Sequence, residues 1–535
     1  MSVLSVPPSR PAPSRVAPSR SALPGSGRAL RLEFKRSAVP WVLPLLAAVF
    51  YFDALRTADG FPPVWAQRAS VIPEHMSWAF GVFAAGLAAW AGSREGRRKT
   101  LDLVGTTPRA AWARQSVTLA GTLCWVLLAF LAGVAVVYGQ TALQGAWGGP
   151  PLWPVLVGVA CVTVVTVLGF AAGVFFPGRF TAPLAAILVF VLLQIGFRQV
   201  LSITLSSGTH ALLSPNNAPP PVDAGTYYHV APDVAVVQVM FMAGLAAALF
   251  GVLGLAQGLR DLRLGGGRAA LRAVLARGDG WLVRAVAVLL TAGGVAAAAV
   301  AFSLAGTARP DAVTGGWQIP AVHSAATDQP VPYAPVCSTS ASGFQVCVHP
   351  AFGFQLQHVA AELDPVVAEI AGLPGAPVAA RELPSQVSGQ EVTSGITGNP
   401  PVFEFTADHV GAYFGLFLGF DPVGWQQGFQ EGLLDAFLEA PAPPGPSSAR
   451  DNGPAPLDTA QQAVEDVLLA GVGSPPLGAS AGHTASNGKL SAATLADIEV
   501  AAQRFGALSA SARHAWLATH LAALRAGAVT LAQLP

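Results

Sequence analysis

Charge is scarce in this chain. Asp, Glu, Lys and Arg make up only 11% of its 535 residues, against about a quarter of an ordinary soluble protein. Lys35, Lys99 and Lys489 are the only lysines, and Cys124, Cys161, Cys337 and Cys347 the only cysteines. Such a composition excludes a plain soluble enzyme, a disordered protein and a nucleic-acid binder. Catalytic motifs are missing too. There is no HExxH, the usual zinc-peptidase helix, and no G-x-S-x-G nucleophile elbow. A phosphate-cradling G-x-x-x-x-G-K-[ST] loop is also absent. Lys489 follows Gly488, but Leu490 comes next and His483 stands where the upstream glycine belongs. No catalytic residue, metal site or bound cofactor is therefore expected in the chain itself.

Apolar residues are abundant: 52% of the chain, with a mean hydropathy of +0.51. They cluster in runs, and a bilayer-spanning helix needs about 20 mostly apolar residues. Seven stretches qualify: about 38–55, 74–92, 116–138, 153–176, 181–201, 234–257 and 284–306. The first is the weakest, interrupted by Pro40 and Pro44 with Asp53 near its end. The expected class is an α-helical multi-span membrane protein of about seven transmembrane helices.

Charge is unevenly divided. Residues 1–306 hold 23 Lys/Arg against 10 Asp/Glu, whereas residues 307–535 hold 7 against 19. Basic residues favour the cytoplasmic side of short loops. With the N-terminus inside, segments 1–37, 93–115, 177–180 and 258–284 carry 20 Lys/Arg, and the outer loops only Arg56, Arg68 and Arg198. This predicts the N-terminus in and residues 336–535 out, as an extracytoplasmic domain after a linker at 307–335. Residues 1–27, with a rough Pro-Ser-Arg repeat, are expected as a disordered tail whose charge could touch anionic lipid. Residues 28–37 read as a basic amphipathic lead-in to the membrane unit 28–306.

The loop 93–115 reads SREGRRKTLDLVGTTPRAAWARQ. An apolar step follows a basic cluster, Gly105 breaks it, and Thr107–Pro108 starts a new helix as N-cap and first helical residue. A generic positive-inside loop would need fewer features, although topogenic charge alone could account for the basic residues. The loop resembles the coupling loop of permease subunits of type-2 ABC exporters. There a Glu, a basic residue and Gly-Thr-Leu-Glu-Leu-Leu precede Thr-Pro. The matching positions are Glu95, Gly96, Arg97, Arg98, Thr100, Leu101, Asp102, Leu103, Thr107, Pro108 and Arg109. Lys99 replaces the family's glycine and Asp102 its glutamate. The match is close over about 15 residues and general in layout over 28–257. The resemblance implies a loop that sits in a groove of a separate cytosolic ABC ATPase, with ATP entering only through that partner. It also implies a homodimer or a pair of related permeases in a bacterial cell membrane.

Basic residues around Leu271, Val274 and Leu275 offer a second contact or simple topogenic charge. Gln194 and Gln238 could line a path or bond a neighbouring helix. The spans carry no mid-membrane charges of the kind that mark ion-coupled carriers.

In the last part of the chain Cys337 and Cys347 stand close enough in sequence for a disulfide, as expected outside the cytoplasm. Phe344, Val346 and Val348 alternate as in a strand. Leu356, Val359, Leu363, Val367 and Ile370 show helical spacing up to Gly372, and 402–406 alternates again. Residues 409–439 read as helix, 440–456 as a flexible Pro/Gly/Ser loop, and two amphipathic helices close the chain. An α+β or mainly α domain is expected. It is similar to extracytoplasmic tails fused to permeases in high-GC Gram-positive bacteria, a resemblance that carries no activity. His358 and Glu362 share a helix face, which fits a surface pair better than a metal site. The alternative to transport is a membrane-anchored binding or sensor protein.

Overall fold

The computed structural model describes residues 31, 34–35, 39–98, 111–193, 213, 223–264, 279–311, 314, 316–384, 386–387, 390–391, 395–406, 422–439, 457–473, 484–485, 488–489 and 491–535. Most of them are helical. Among the described residues five helices are long and apolar enough to cross a membrane: Pro40–Gly60, Trp112–Leu143, Trp153–Phe175, Asp233–Ala256 and Arg284–Ala305. Two further expected spans fall on shorter helices. Residues 74–92 lie on one that includes Ser77–Gly92, and 181–201 begins as Thr181–Leu193. The remainder of the latter lies outside the described residues. The fold is that of a helical membrane protein with a small sheet-containing unit at its C-terminal end.

The bundle begins with α1 (Val39–Val49), continued by a wide π-helical stretch to Leu55 and a last turn to Gly60. After a tight loop come α2 (Trp65–Val71), a second wide stretch (Ile72–Met76) and α3 (Ser77–Gly92). Pro73 explains the second wide turn, because it has no N–H to donate and its ring crowds the preceding turn. The Ile72 carbonyl then takes both the backbone N–H and the hydroxyl of Ser77, the latter at 2.8 Å. Next come α4 (Arg94–Arg97), α5 (Ala111–Leu143), α6 (Trp153–Phe175), α7 (Thr181–Phe190), α8 (Asp233–Leu264) and α9 (Asp279–Ala305).

Small residues set which helices touch. A methyl group on Gly169 would fall 2.2 Å from the Ala85 carbonyl oxygen, and one on Gly173 2.2 Å from that of Ala89. Hence α3 and α6 cross backbone to backbone. Gly244, Gly251 and Gly294 do the same for α8 and α9, where added methyl groups would lie 2.5–2.7 Å from the facing backbone. In lipid, where apolar burial does not drive helices together, such close approach supplies the packing attraction. Opposite this stripe, α9 exposes Val288, Leu289, Val295 and Val300, and α7 exposes Leu184, Ile187 and Leu188.

The C-terminal unit is α+β. After the hairpin of β1 (Arg309–Pro310) and β2 (Trp317–Gln318) come β3 (Val336–Thr339), β4 (Gln345–Val348), β5 (Ala379–Leu383), β8 (Gly395–Thr397) and β9 (Val402–Thr406), which form a five-stranded sheet in the order β3-β4-β5-β9-β8, while β6 (Gln386–Val387) and β7 (Gln390–Glu391) pair with each other. The inner pairs β4–β5 and β5–β9 are parallel, and the outer pairs antiparallel. The parallel pair β4–β5 needs a crossover, supplied by α10 (Leu356–Ile370). Cys337 and Cys347 are directly opposite on β3 and β4 and form a disulfide. The helices α11 (Pro422–Leu438), α12 (Thr459–Gly471), α13 (Ala492–Gly506) and α14 (Ala510–Arg525) complete the layer. Asp458 starts α12 with a reciprocal capping box to Gln461, which satisfies two otherwise orphaned helix donors. The core joins Leu363, Ile370, Phe403, Phe405, Leu433, Phe437 and Phe505, all essentially fully buried.

Candidate functional site

Two ends of the bundle matter. At the end away from the C-terminal unit, the described beginning of the 93–115 loop is held by its neighbours. Ser93 accepts from Arg97 N–H, and Arg94 from Arg98 N–H, which makes the short turn of α4. Arg97 lies with its guanidinium carbon 3.3 Å from the centre of the Trp90 ring and donates to the Trp90 carbonyl at 2.8 Å. Gly96 lets the turn rest on Pro177, where a methyl group would come within 2.4 Å of the proline Cβ. Glu95 reaches across the loop to Arg114 at 3.8 Å. The chain re-enters the bundle at Trp112, whose ring lies 5.0 Å from that of Phe250 and against Gly254 of α8. Of the residues carrying the resemblance, Glu95, Gly96, Arg97 and Arg98 are therefore brought together. Thr100, Leu101, Asp102, Leu103, Thr107, Pro108 and Arg109 lie outside the described residues.

At the other end, a cleft of about 100 Å³ opens between α2, the N-termini of α6 and α8, the loop residues Ala224 and His229–Ala231, and Asp311, Thr314, Gly316 and Trp317. Its walls are apolar, with Pro73, Trp153, Val157, Val234 and Trp317 among them. Buried Gln238 brings an amide from α8, and buried Asp311 brings a carboxylate. The hairpin β1 (Arg309–Pro310) and β2 (Trp317–Gln318) forms one side. Asp311 is fixed at its turn, donating its N–H to Gly316 at 2.7 Å and accepting the Thr314 hydroxyl. Gly225, with φ +82°, turns a loop onto α2, where a side chain would meet Ala66 at 2.3 Å.

The segment read above as a linker is tied down beside this cleft. Asp233 at the N-terminus of α8 accepts the Ile319 N–H at 3.0 Å and lies 2.8 Å from His323 Nδ1. His323 Nε2 lies 3.1 Å from Asp328. Burial lowers the His323 pKa, but the hydrogen bonds and charges of Asp328 and Asp233 outweigh it and the net shift is upward. Val331 donates to the Tyr227 carbonyl at 2.7 Å.

The C-terminal unit is joined to the bundle by another histidine, this one fully buried. His349 is 1% exposed. Its ring is packed by Trp147 and Tyr227 at 4.8 Å each and by Tyr333 at 4.2 Å. Nδ1 accepts from Ala351 N–H at 3.1 Å, while Glu382 accepts the His349 N–H at 2.7 Å. Burial pushes the imidazole down to about 4, so it packs as a neutral ring. Burial, then the Glu382 charge, pushes the Tyr227 hydroxyl far up. Val64, Ala66, Ala351 and Phe352 bury one another alongside.

No protein-family model, curated protein or solved structure matches the chain. Among the described residues no group of three or more His, Cys, Asp or Glu is arranged to hold a metal ion. His358 and Glu362 stand 4.0 Å apart on α10 with the imidazole 39% exposed, the geometry of a surface pair. Sequence reading singled out neither His323 nor His349, and missed Asp233, Asp311 and the cleft. Asp233 stands just before a long apolar run, where an acidic N-terminal residue is a signal.

Proposed function

We propose that the chain is the membrane-spanning permease subunit of an ATP-driven ABC transporter, an exporter. A separate cytosolic ATPase would dock on the 93–115 loop and supply the energy, and two permease chains would pair across the membrane. The observation that carries this is how the loop is held. Its entrance is locked to α3 and, through Gly96 on Pro177, to the end of α6. Its exit is locked to α8 through Trp112. A displacement of these two described ends would therefore move the helices they are packed on, α3, α6 and α8. Rigid packed elements are what transmit such a displacement. Under this reading the N-terminus is cytoplasmic, the C-terminal unit is extracytoplasmic, and the membrane is a bacterial plasma membrane. The packed seam around His349 favours a C-terminal unit that moves with the helices over one merely tethered by them.

The test is purification of the full chain from its native membrane in mild detergent, with mass spectrometry of what comes with it. A P-loop ATPase in stoichiometric amount, lost with Leu101→Asp or Asp102→Lys while the variants still insert, is the expected result. An intact chain without an ATPase, under conditions that preserve other ABC complexes, would leave the chain as an anchored binding protein.

A further inference from the structure

We propose that the cleft between α2, α6, α8 and the β1–β2 hairpin is a binding site for a small organic cation with an apolar body, such as a benzylic or short-chain quaternary ammonium. The site stands on its own lining, so it holds whether or not an ATPase drives the chain.

Three observations converge. First, the walls are apolar and concave, with polar groups at few points, the usual make-up of a small-molecule site. Gln238 is 4% exposed at the α8 wall and offers a neutral amide. Second, Asp311 and His229 are the titratable groups among the described lining residues, with no lysine or arginine among them, and Asp311, only 6% exposed, contributes a carboxylate. After burial, the charges of Asp223 and Asp311 push the pKa of Tyr228 upward, in the loop that leads to the lining residue His229. Ala66 and Ser70 line the cleft from α2, whereas the buried Arg68 of the same helix is not in the lining and donates to the carbonyls of Phe61 and Pro62 and to Gln144. Third, Trp153 and Trp317 both line the cleft, from α6 and from the hairpin. An indole face attracts a quaternary ammonium, and the attraction grows when water is excluded. A carboxylate in a half-dry wall adds Coulomb attraction for a cation and repels an anion of the same shape. An anionic headgroup or a phosphate would meet the Asp311 carboxylate and, among the described lining residues, no lysine or arginine.

The experiment uses the full chain in nanodiscs of zwitterionic lipid at pH 8, with empty nanodiscs subtracted. The probes are benzyltrimethylammonium, phenylmethanesulfonate and benzyl alcohol, which share a ring and differ in charge. Saturable binding of the cation is expected, with the anion at least about tenfold weaker. Asp311→Asn, which can still accept from Thr314, should weaken the cation by about tenfold and leave benzyl alcohol within about twofold. Ala235→Trp should fill the cleft and remove binding. Val157→Phe serves the same purpose if the first variant loses its native elution and melting. The proposal is overturned if the cation fails to saturate the wild-type chain, or if the sulfonate binds as well. It is equally overturned if Asp311→Asn or a folded, filled variant binds the cation unchanged.

Discussion

Asp233 and His323, 90 residues apart in sequence, meet at 2.8 Å and tie the segment after α9 to the beginning of α8. The carboxylate has no exposed surface, and the imidazole side chain is 12% exposed. Asp328 engages the second ring nitrogen. One protonated histidine between two carboxylates is a clamp that works through its charge.

The clamp should weaken in base. Its histidine has a folded pKa above the unfolded value, so the stabilisation is complete below the unfolded pKa, near 6.5. It is lost as pH rises through the raised folded value. Hydrogen exchange in 316–335, corrected for intrinsic rate, should therefore increase relative to the bundle above neutral pH. His323→Gln should show the loosened state at every pH. Protection that is unchanged between pH 6 and pH 9 would contradict the clamp.

The C-terminal unit has the same direction of pH dependence for a different reason. Burial, aided by neighbouring carboxylates, raises Glu431 to about 7. Burial raises Asp435 to about 6 against the hydrogen bond from Glu465. Glu465, 1% exposed, is raised well above its ordinary range by burial and by the charges of Asp435, Glu431 and Asp466. The buried Asp435–Glu465 pair is best held with a shared proton. Raised acid pKa values mean stability that is present below about 4 and lost as pH climbs through about 6 to 7. Resistance of this unit to proteolysis should be greater at pH 5 than at pH 8. Glu465→Gln should restore it at pH 8 by roughly 1–3 kcal/mol, and a variant less stable than wild type at pH 8 would count against the shared proton.

Gly173→Ala tests the α3–α6 crossing. Its methyl group would need space now held by the Ala89 carbonyl 2.2 Å away, so the helices must separate, at about 1–3 kcal/mol. Gly139→Ala, with nothing within 4 Å of the added carbon, should be neutral or stabilising by up to about 1 kcal/mol. Melting of the purified chain in detergent separates the two, and equal effects would refute the close contact.

Removing the disulfide with Cys337→Ser and Cys347→Ser should lower the stability of the C-terminal unit by about 2–3 kcal/mol, because a short loop is released in the unfolded chain. Its β3 strand is mostly exposed, so protection should fall first at 336–348. No change in proteolytic resistance would show that the sheet does not depend on the bridge.

Much of the helical framework was legible because long apolar runs leave few alternatives. The runs at 153–176 and 284–306 lie on Trp153–Phe175 and Asp279–Ala305. The alternating Val402–Thr406 and the periodic Leu356–Ile370 were legible for the same reason. Sequence periodicity did not reveal the wide turns at Phe50–Leu55 and Ile72–Met76, which depend on where freed carbonyls find donors. Nor could it pair Asp233 with His323, or surround His349 with Trp147, Tyr227 and Tyr333. Those contacts join segments far apart in the chain, and each residue by itself is unremarkable. The resemblance in 93–115 pointed to the loop, whereas the cleft has no local motif because four stretches far apart in the chain, 66–73, 151–157, 224–238 and 311–317, supply its lining.

The most direct test of the central claim is photo-crosslinking in native cells from position 102. Asp102 would be replaced by a photoreactive amino acid, and the adduct identified by mass spectrometry. A permease predicts one dominant adduct, a protein with a P-loop, that disappears when Leu101→Asp is added. Adducts with lipid alone, or with proteins that carry no P-loop, would contradict a loop that couples this chain to an ATPase.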